Sequence, residues 1–299
     1  MFDVATENVF DAAQRCISCS DPARKLALTH AVAAAIGADA LPVAASEAAA
    51  PIGVPGRPPR PLLVASRQLA QRGLGSPAGR AALIHAIAHI EFNAINLAWD
   101  AVYRFRDMPL AYYRDWAQVA ADEARHFALL DARLRDLGFG YGDFDAHDGL
   151  WDMAMRTADS CLARMALVPR VLEARGLDVT PGMIERLRRV GDEATIAILE
   201  TILDEEVAHV AAGSRWFAWC CARDGVDAQN TFHTLLETRL AGGLRGPFNT
   251  EARLRAGFSH AELARLAGGA GLSARDSATK VTTHGDATNA DGQGRGLST

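Results

Sequence analysis

Asp122-Glu123-Ala124-Arg125-His126 and Glu205-Glu206-Val207-Ala208-His209 decide how this chain is read. Each holds Glu-x-x-His, and at about 100° per residue a three-residue step leaves both side chains on one face of a helix, one turn apart. Both glutamates fall where a helix that packs should be apolar. Glu123 continues the stripe Trp116, Val119, Ala120, Phe127, Leu130 and Leu134, and Glu206 the stripe Leu199, Ile202, Leu203, Val210 and Phe217.

Working outward, two more glutamates repeat the anomaly. Glu91 lies on the stripe Ile84, Ile87, Ala88, Ala94, Ile95, Ala98 and Val102, and Glu173 follows Leu162, Met165, Ala166 and Pro169 at helical spacing. Glu91 precedes Glu123 by 32 residues and Glu173 precedes Glu206 by 33, so two helix pairs each bring a Glu and then a Glu-x-x-His. Four inward carboxylates without partners would each cost several kcal/mol or be forced to protonate, whereas a pair of divalent cations compensates them directly. The expected metal ligands are therefore Glu91, Glu123, His126, Glu173, Glu206 and His209. Carboxylate and imidazole donors without thiolate suit iron or manganese better than a closed structural zinc site. Two iron ions are expected, with manganese the other metal this donor set admits. Asp122 and Glu205, each just before a ligand glutamate, are placed to accept a hydrogen bond from the imidazole of the facing helix. His89 is assigned to the same supporting layer.

The rest of the chain fits an all-α fold. Residues 5–37 read as two helices broken at Ser20-Asp21-Pro22, and five prolines between Leu41 and Pro61 make an extended connector. Long helical segments are predicted over 77–106, 110–137, 149–175 and 181–223, with Gly138 to Gly149 as an ordered crossover loop. Shorter helices follow over 227–241 and 250–266. This divides the chain into a lobe and connector over 1–61, a metal-holding bundle with C-terminal helices over 62–267, and a disordered tail over 268–299. Pro169, four residues before Glu173, should interrupt the helix ladder by a kink that sets the reach of Glu173 or by a loop start.

Composition narrows the function classes. A net charge of −5 and a pI near 6.0 give no global attraction to a phosphate backbone, and Arg133, Arg135, Arg186, Arg188 and Arg189 are the only hints of a basic surface. No apolar run reaches the roughly 18 to 20 residues of a membrane span, so a cytoplasmic protein without membrane contact is expected. The five cysteines have no disulfide-scaffold spacing, and the lone Cys16-x-x-Cys19 reads as packing. His85 lies off the stripe of Glu91 and reads as packing or as a hydrogen-bonding partner, and His147 as a loop hydrogen-bonder.

One Glu from each of two helices with Glu-x-x-His from each of the other two is the ligand set of ferritin-like di-iron and di-manganese carboxylate proteins. The chain resembles that superfamily, which implies a four-helix bundle here carrying an added N-terminal lobe. Asp122-Glu123-Ala124-Arg125-His126 resembles the corresponding segment of bacterial di-iron monooxygenases, from which Glu205 departs, since Asp is usual there. Over about residues 10–260 the chain is similar to the ferritin-like family DUF455. The likeness rests on His85-Ala86-Ile87-Ala88-His89-Ile90-Glu91, Asn96-Leu97-Ala98-Trp99-Asp100, Tyr141-Gly142-Asp143-Phe144, Ala146-His147-Asp148-Gly149-Leu150-Trp151 and Val171-Leu172-Glu173-Ala174-Arg175-Gly176-Leu177-Asp178. At fold level it is also similar to tRNA-modifying di-iron hydroxylases.

These resemblances imply a di-iron oxidoreductase that activates O₂ to hydroxylate or oxidise a small molecule or a modified nucleoside, fed by an external electron donor. The competing readings are a ferroxidase or manganese-catalase-like protein without an organic substrate, and a scaffold that keeps metal for stability alone.

Overall fold

Among the described residues, regular structure starts where Asn8 caps α1 (Val9–Ser18) by accepting from the amides of Phe10 and Asp11. Asp21 then caps α2 (Pro22–Gly37), whose first turn holds Pro22, as the Ser-Asp-Pro break predicts. The computed structural model describes residues 7–44, 48–70, 72–240 and 244–268, so the tail expected over 268–299 lies outside the described residues except for Gly268. Among the described residues between α2 and α3, regular structure is limited to a 3₁₀ turn (Ser66–Gln68) and one isolated parallel bridge, Leu63 to Ala146, which ties this stretch to the crossover loop.

Four helical runs build the core. They are α3 (Pro77–Arg104), α4 (Leu110–Asp136), a composite third run, and α8 (Glu193–Asp224). The third run comprises α5 (Gly149–Arg156), α6 (Cys161–Leu167), a π-helical turn (Val168–Glu173) and α7 (Ala174–Arg188). α3 packs on α4, α4 on α8, and α6, the π turn and α7 all line α8. α1 covers α3 and α2 covers α4 from outside. Beyond them, α9 (Ala228–Arg239), α10 (Thr250–Arg255) and a last helix over 260–268 close the far side. The architecture is an all-α helical bundle, without a β-strand among the described residues. α3 is apolar and long enough to pass for a membrane span, but 78% of that stretch is buried by its neighbours, as in a core helix.

The composite run departs from its expected bounds of 149–175, and the next helix starts at 193 rather than 181. The first break, at 157–160, is set by Ser160, which caps α6 through the Ala163 amide. Arg164, buried, donates to the Ala154 carbonyl at the end of α5, to Thr157 and to Asp100 of α3, the last at 2.6 Å. Pro181 does not end α7. The proline has no N–H for the Leu177 carbonyl, and Asn249 Nδ2 donates to that carbonyl instead at 3.1 Å. The actual stop is Gly191, in the left-handed region at φ 69°, followed by Asp192 capping α8. The expected helix over 250–266 is likewise two helices, parted at Gly257, whose φ is 85°.

Pro169 produces neither a simple kink nor a loop. The helix absorbs the missing donor and the ring by widening to the π turn that ends at Glu173. The ring is seated on Gly213 of α8, where an added Cβ would lie 2.3 Å from Pro169 Cβ and Cγ. Gly213→Ala is therefore expected to destabilise the protein by about 1–3 kcal/mol, as overpacking does. Urea denaturation measures this, and an unchanged midpoint would show that the Pro169 contact does not hold the turn in place.

Candidate metal centre

Each chemistry-bearing side chain is delivered by a helix whose neighbours on the same stripe are buried. Glu91 is presented by α3, Glu123 and His126 by α4, and Glu206 and His209 by α8, all buried. Donor atoms of Glu91, Glu123, His126 and Glu206 lie within 4.8 Å of one another. His126 Nδ1 stands 3.2 Å from Glu91 Oε2, 3.6 Å from Glu123 Oε2 and 3.9 Å from Glu206 Oε1. His209 joins the group through Nδ1, 3.1 Å from both Glu123 Oε1 and Glu206 Oε1. The two imidazole rings sit 5.7 Å apart between centroids.

Glu173 reaches the cluster from the π turn. It lines one cavity with Glu91, Glu123 and Glu206, and its Oε2 is enclosed without a hydrogen-bond partner. No direct bond joins it to the other five residues, so the structure brings five of the six expected ligands into mutual contact and sets the sixth on the shared cavity wall.

The outer faces of both imidazoles meet acids in a crossed pattern. His126 of α4 faces Glu205 of α8, with Nε2 to Oε2 at 2.6 Å. His209 of α8 faces Asp122 of α4, with Nε2 to Oδ2 at 3.5 Å. Arg125 joins the two acids, donating to Glu205 at 2.5 Å and to Asp122 at 3.1 Å. The place of Arg125 between Asp122 and Glu205 makes it a clamp across the α4–α8 seam. A ring nitrogen fixed by an outer acid leaves the other aimed inward, which is how ligand imidazoles are oriented.

His89 is buried away from this group, its Nδ1 paired with the Tyr141 hydroxyl at 2.8 Å and its Nε2 with Asn93 at 3.0 Å. Neither partner belongs to the six. His85 accepts from the Gly142 amide at 3.0 Å and stacks on Tyr141, and His147 accepts from Gly149 at 3.2 Å. His85 and His89 thus knit the crossover loop to α3. Cys16 is buried with its thiol pushed up to about 12, first of all by burial.

Electrostatics across the cluster are those of excess buried negative charge. Burial pushes the carboxyls of Glu91, Glu173 and Glu206 above the usual range, and the neighbouring carboxylates add to it. Burial would raise Glu123 too, but the imidazoles of His126 and His209 outweigh it and hold that carboxyl low. Burial would depress His126, yet Glu123 and Glu91 carry it up to about 11. Excess negative charge thus favours protons on His126 and on the raised carboxyls, and a bound metal would compete with them.

The residues fit a metal by their unsatisfied atoms as well as by type. Both Glu123 oxygens and Glu173 Oε2 are buried without an aligned hydrogen bond, although such atoms almost always have one. Bonds of about 2.0–2.2 Å would put opposite donors on one ion roughly 4 Å apart, so a set spread over 4.8 Å needs only small side-chain shifts to close on an ion.

Comparison with known proteins gives a family and no activity. The model of the family described as "Protein of unknown function (DUF455)" matches residues 18–264. The chain is 46% identical over 213 residues to an uncharacterised protein of Haemophilus influenzae, an alignment covering 69% of this chain and 74% of that one. No solved structure matches.

If the buried carboxylates are tolerated only for a ligand, the metal-free protein should gain from losing one. Glu173→Leu is expected to stabilise chelator-treated protein by about 1–3 kcal/mol, the cost of an unsatisfied buried polar group. Guanidinium melts of both proteins after chelation test this. A less stable variant would mean that Glu173 has a structural partner in the metal-free state.

Proposed function

We propose, for a chain that belongs to the DUF455 family, that Glu91, Glu123, His126, Glu173, Glu206 and His209 hold two iron ions in a ferritin-like di-iron oxidoreductase that activates O₂. The observation that carries this reading is the closure of three carboxylates and an imidazole to within 4.8 Å in a buried position, repeated in sequence as two Glu…Glu-x-x-His pairs. Buried carboxylates at this density are sustained by cations, and oxygen and imidazole donors without sulfur suit iron or manganese. A bound iron pair would supply redox equivalents and open positions for O₂.

The protein's own residues have separate tasks. The carboxylates neutralise the ions, His126 and His209 present Nδ1 inward, and Asp122, Glu205 and Arg125 hold those rings in register. An external electron donor would restore the reduced state, as a hydroxylase or oxidase requires. What favours an organic substrate over ferroxidase or catalase-like work is a cavity of about 140 Å³ that opens on four of the carboxylates. Metal or peroxide chemistry has no use for such a space. The arginines that hinted at a basic surface are largely engaged, with Arg133 on Asp192, Arg135 on Asp131, and Arg188 and Arg189 on Glu185.

Protein purified aerobically and without an affinity tag is expected to carry two metal ions per chain by elemental analysis and, once reduced, to consume O₂. Glu123→Ala and Glu206→Ala should each lose most of that metal while keeping their helical circular dichroism. Retention of two metals by both variants would overturn the ligand assignment, and manganese in place of iron with peroxide disproportionation would favour the catalase-like reading.

A further inference from the structure

We infer that the cavity beside the carboxylates takes an apolar group about the size of benzene, so that the substrate enters by a hydrocarbon end and not by a nucleobase or a sugar. The inference takes the proposed metal centre as the reactive end of the cavity, but its own support is the shape and chemistry of the walls.

The carboxylates of Glu91, Glu123 and Glu206 are clustered within 4.8 Å and share the lining with Glu173. The remaining wall is almost wholly aliphatic. Ile87 and Ala94 come from α3, Leu199 and Ile202 from α8, and Val179 and Met183 from α7. Ile87, Ala94, Leu199 and Ile202 are at most 8% exposed, so this is interior surface and not a dent in the outside. The space is about 140 Å³, close to the roughly 150 Å³ at which a cavity lined by Leu, Ile and Phe stays dry and binds benzene or xenon.

The mouth lies toward Ile90, 45% exposed on α3, and toward Arg175 and Thr180 of α7. The Arg175 guanidinium donates to the carbonyls of Arg245 and Pro247, which holds it at the rim. Along the wall between that rim and the carboxylates, the lining side chains offer neither an amide nor a hydroxyl. A nucleobase has donors and acceptors around its whole edge and would leave them unpaired here, whereas a polar site rejects or accepts a ligand mainly through such pairing. An alkyl or phenyl group loses nothing on entry and gains the burial.

The test uses the full chain as purified, with its metal content measured first, and toluene as the probe beside adenosine as the polar comparison. Ligand-observed NMR and melting temperature report binding. Toluene is expected to bind saturably and to raise the melting temperature with concentration, while adenosine moves neither. Ala94→Phe and Met183→Trp fill the cavity from α3 and α7 and are each expected to weaken toluene binding at least about tenfold with metal content unchanged. Met183 is only half-buried, so its variant keeps the test alive should Ala94→Phe fail to fold. Toluene binding indifferent to the filled cavity, or adenosine binding in its place, would overturn the inference. Metal present without toluene binding removes the apolar pocket and leaves the centre, and toluene binding to a chain that carries no metal does the reverse.

Discussion

Everything in this molecule is arranged around negative charge placed where water cannot reach it. Glu91, Glu123 and Glu206 are each at most 9% exposed, on α3, α4 and α8, with α4 packed against both of the others. Charges so placed repel one another and lose hydration, and no surface ion pair makes up a loss of that size. The helices hold them together because each glutamate is a single interruption in a long apolar stripe, and the burial of the stripe outweighs the penalty of the interruption. Burial and the neighbouring carboxylates raise the proton affinity of Glu91 and Glu206, and Glu123 and Glu91 raise that of His126, so the group favours added positive charge.

The bracing elsewhere follows from the same demand for fixed positions. Buried cations join the outer elements to the core at points where a helix carbonyl has lost its partner. Lys25 donates to the carbonyls of Cys16 and Ile17 at the end of α1 and to Asn96 of α3. Arg164 does the same for Ala154, and Arg253 pairs with Asp178 at 2.7 Å while Asn249 serves the carbonyl that Pro181 leaves open. Arg170, on the π turn itself, is enclosed by Phe217, Phe232 and Phe258 and bonded to Glu262. The C-terminal helices thus anchor the turn that carries Glu173, which gives them a part in shaping the site although none of their side chains reaches it.

Much of this was legible in the sequence because the informative residues break a pattern. A glutamate in an apolar stripe is conspicuous, and the order of helices up to Asp136 could be read from caps and periodicity alone. The crossed acids Asp122 and Glu205 followed from helix geometry. The third run was not legible, because its breaks answer to tertiary partners. Pro181 looks like a stop until Asn249 is seen on Leu177, and Gly191-Asp192, the true boundary, is a weaker local signal. The cavity was invisible for the opposite reason. Leu199 and Ile202 stand on the same stripe as Glu206, where an aliphatic residue that lines a space reads the same as one that fills it.

That last ambiguity bears on how the site is built. A helix stripe normally packs to the density of an organic crystal, and space beside Ile87 and Leu199 is therefore something the fold has to hold open. The π turn does so. A regular α-helix through Pro169 would clash with its own preceding turn; the widened turn instead seats the ring on Gly213 and rotates the residues after it relative to the α6 register. Glu173, at the end of that turn, and Val179 and Met183 beyond it face the cavity as a consequence. One proline and the glycine opposite it therefore set both the direction of the fourth carboxylate and the position of the wall across from α3, which couples the proposed ligand sphere to the shape of the space beside it.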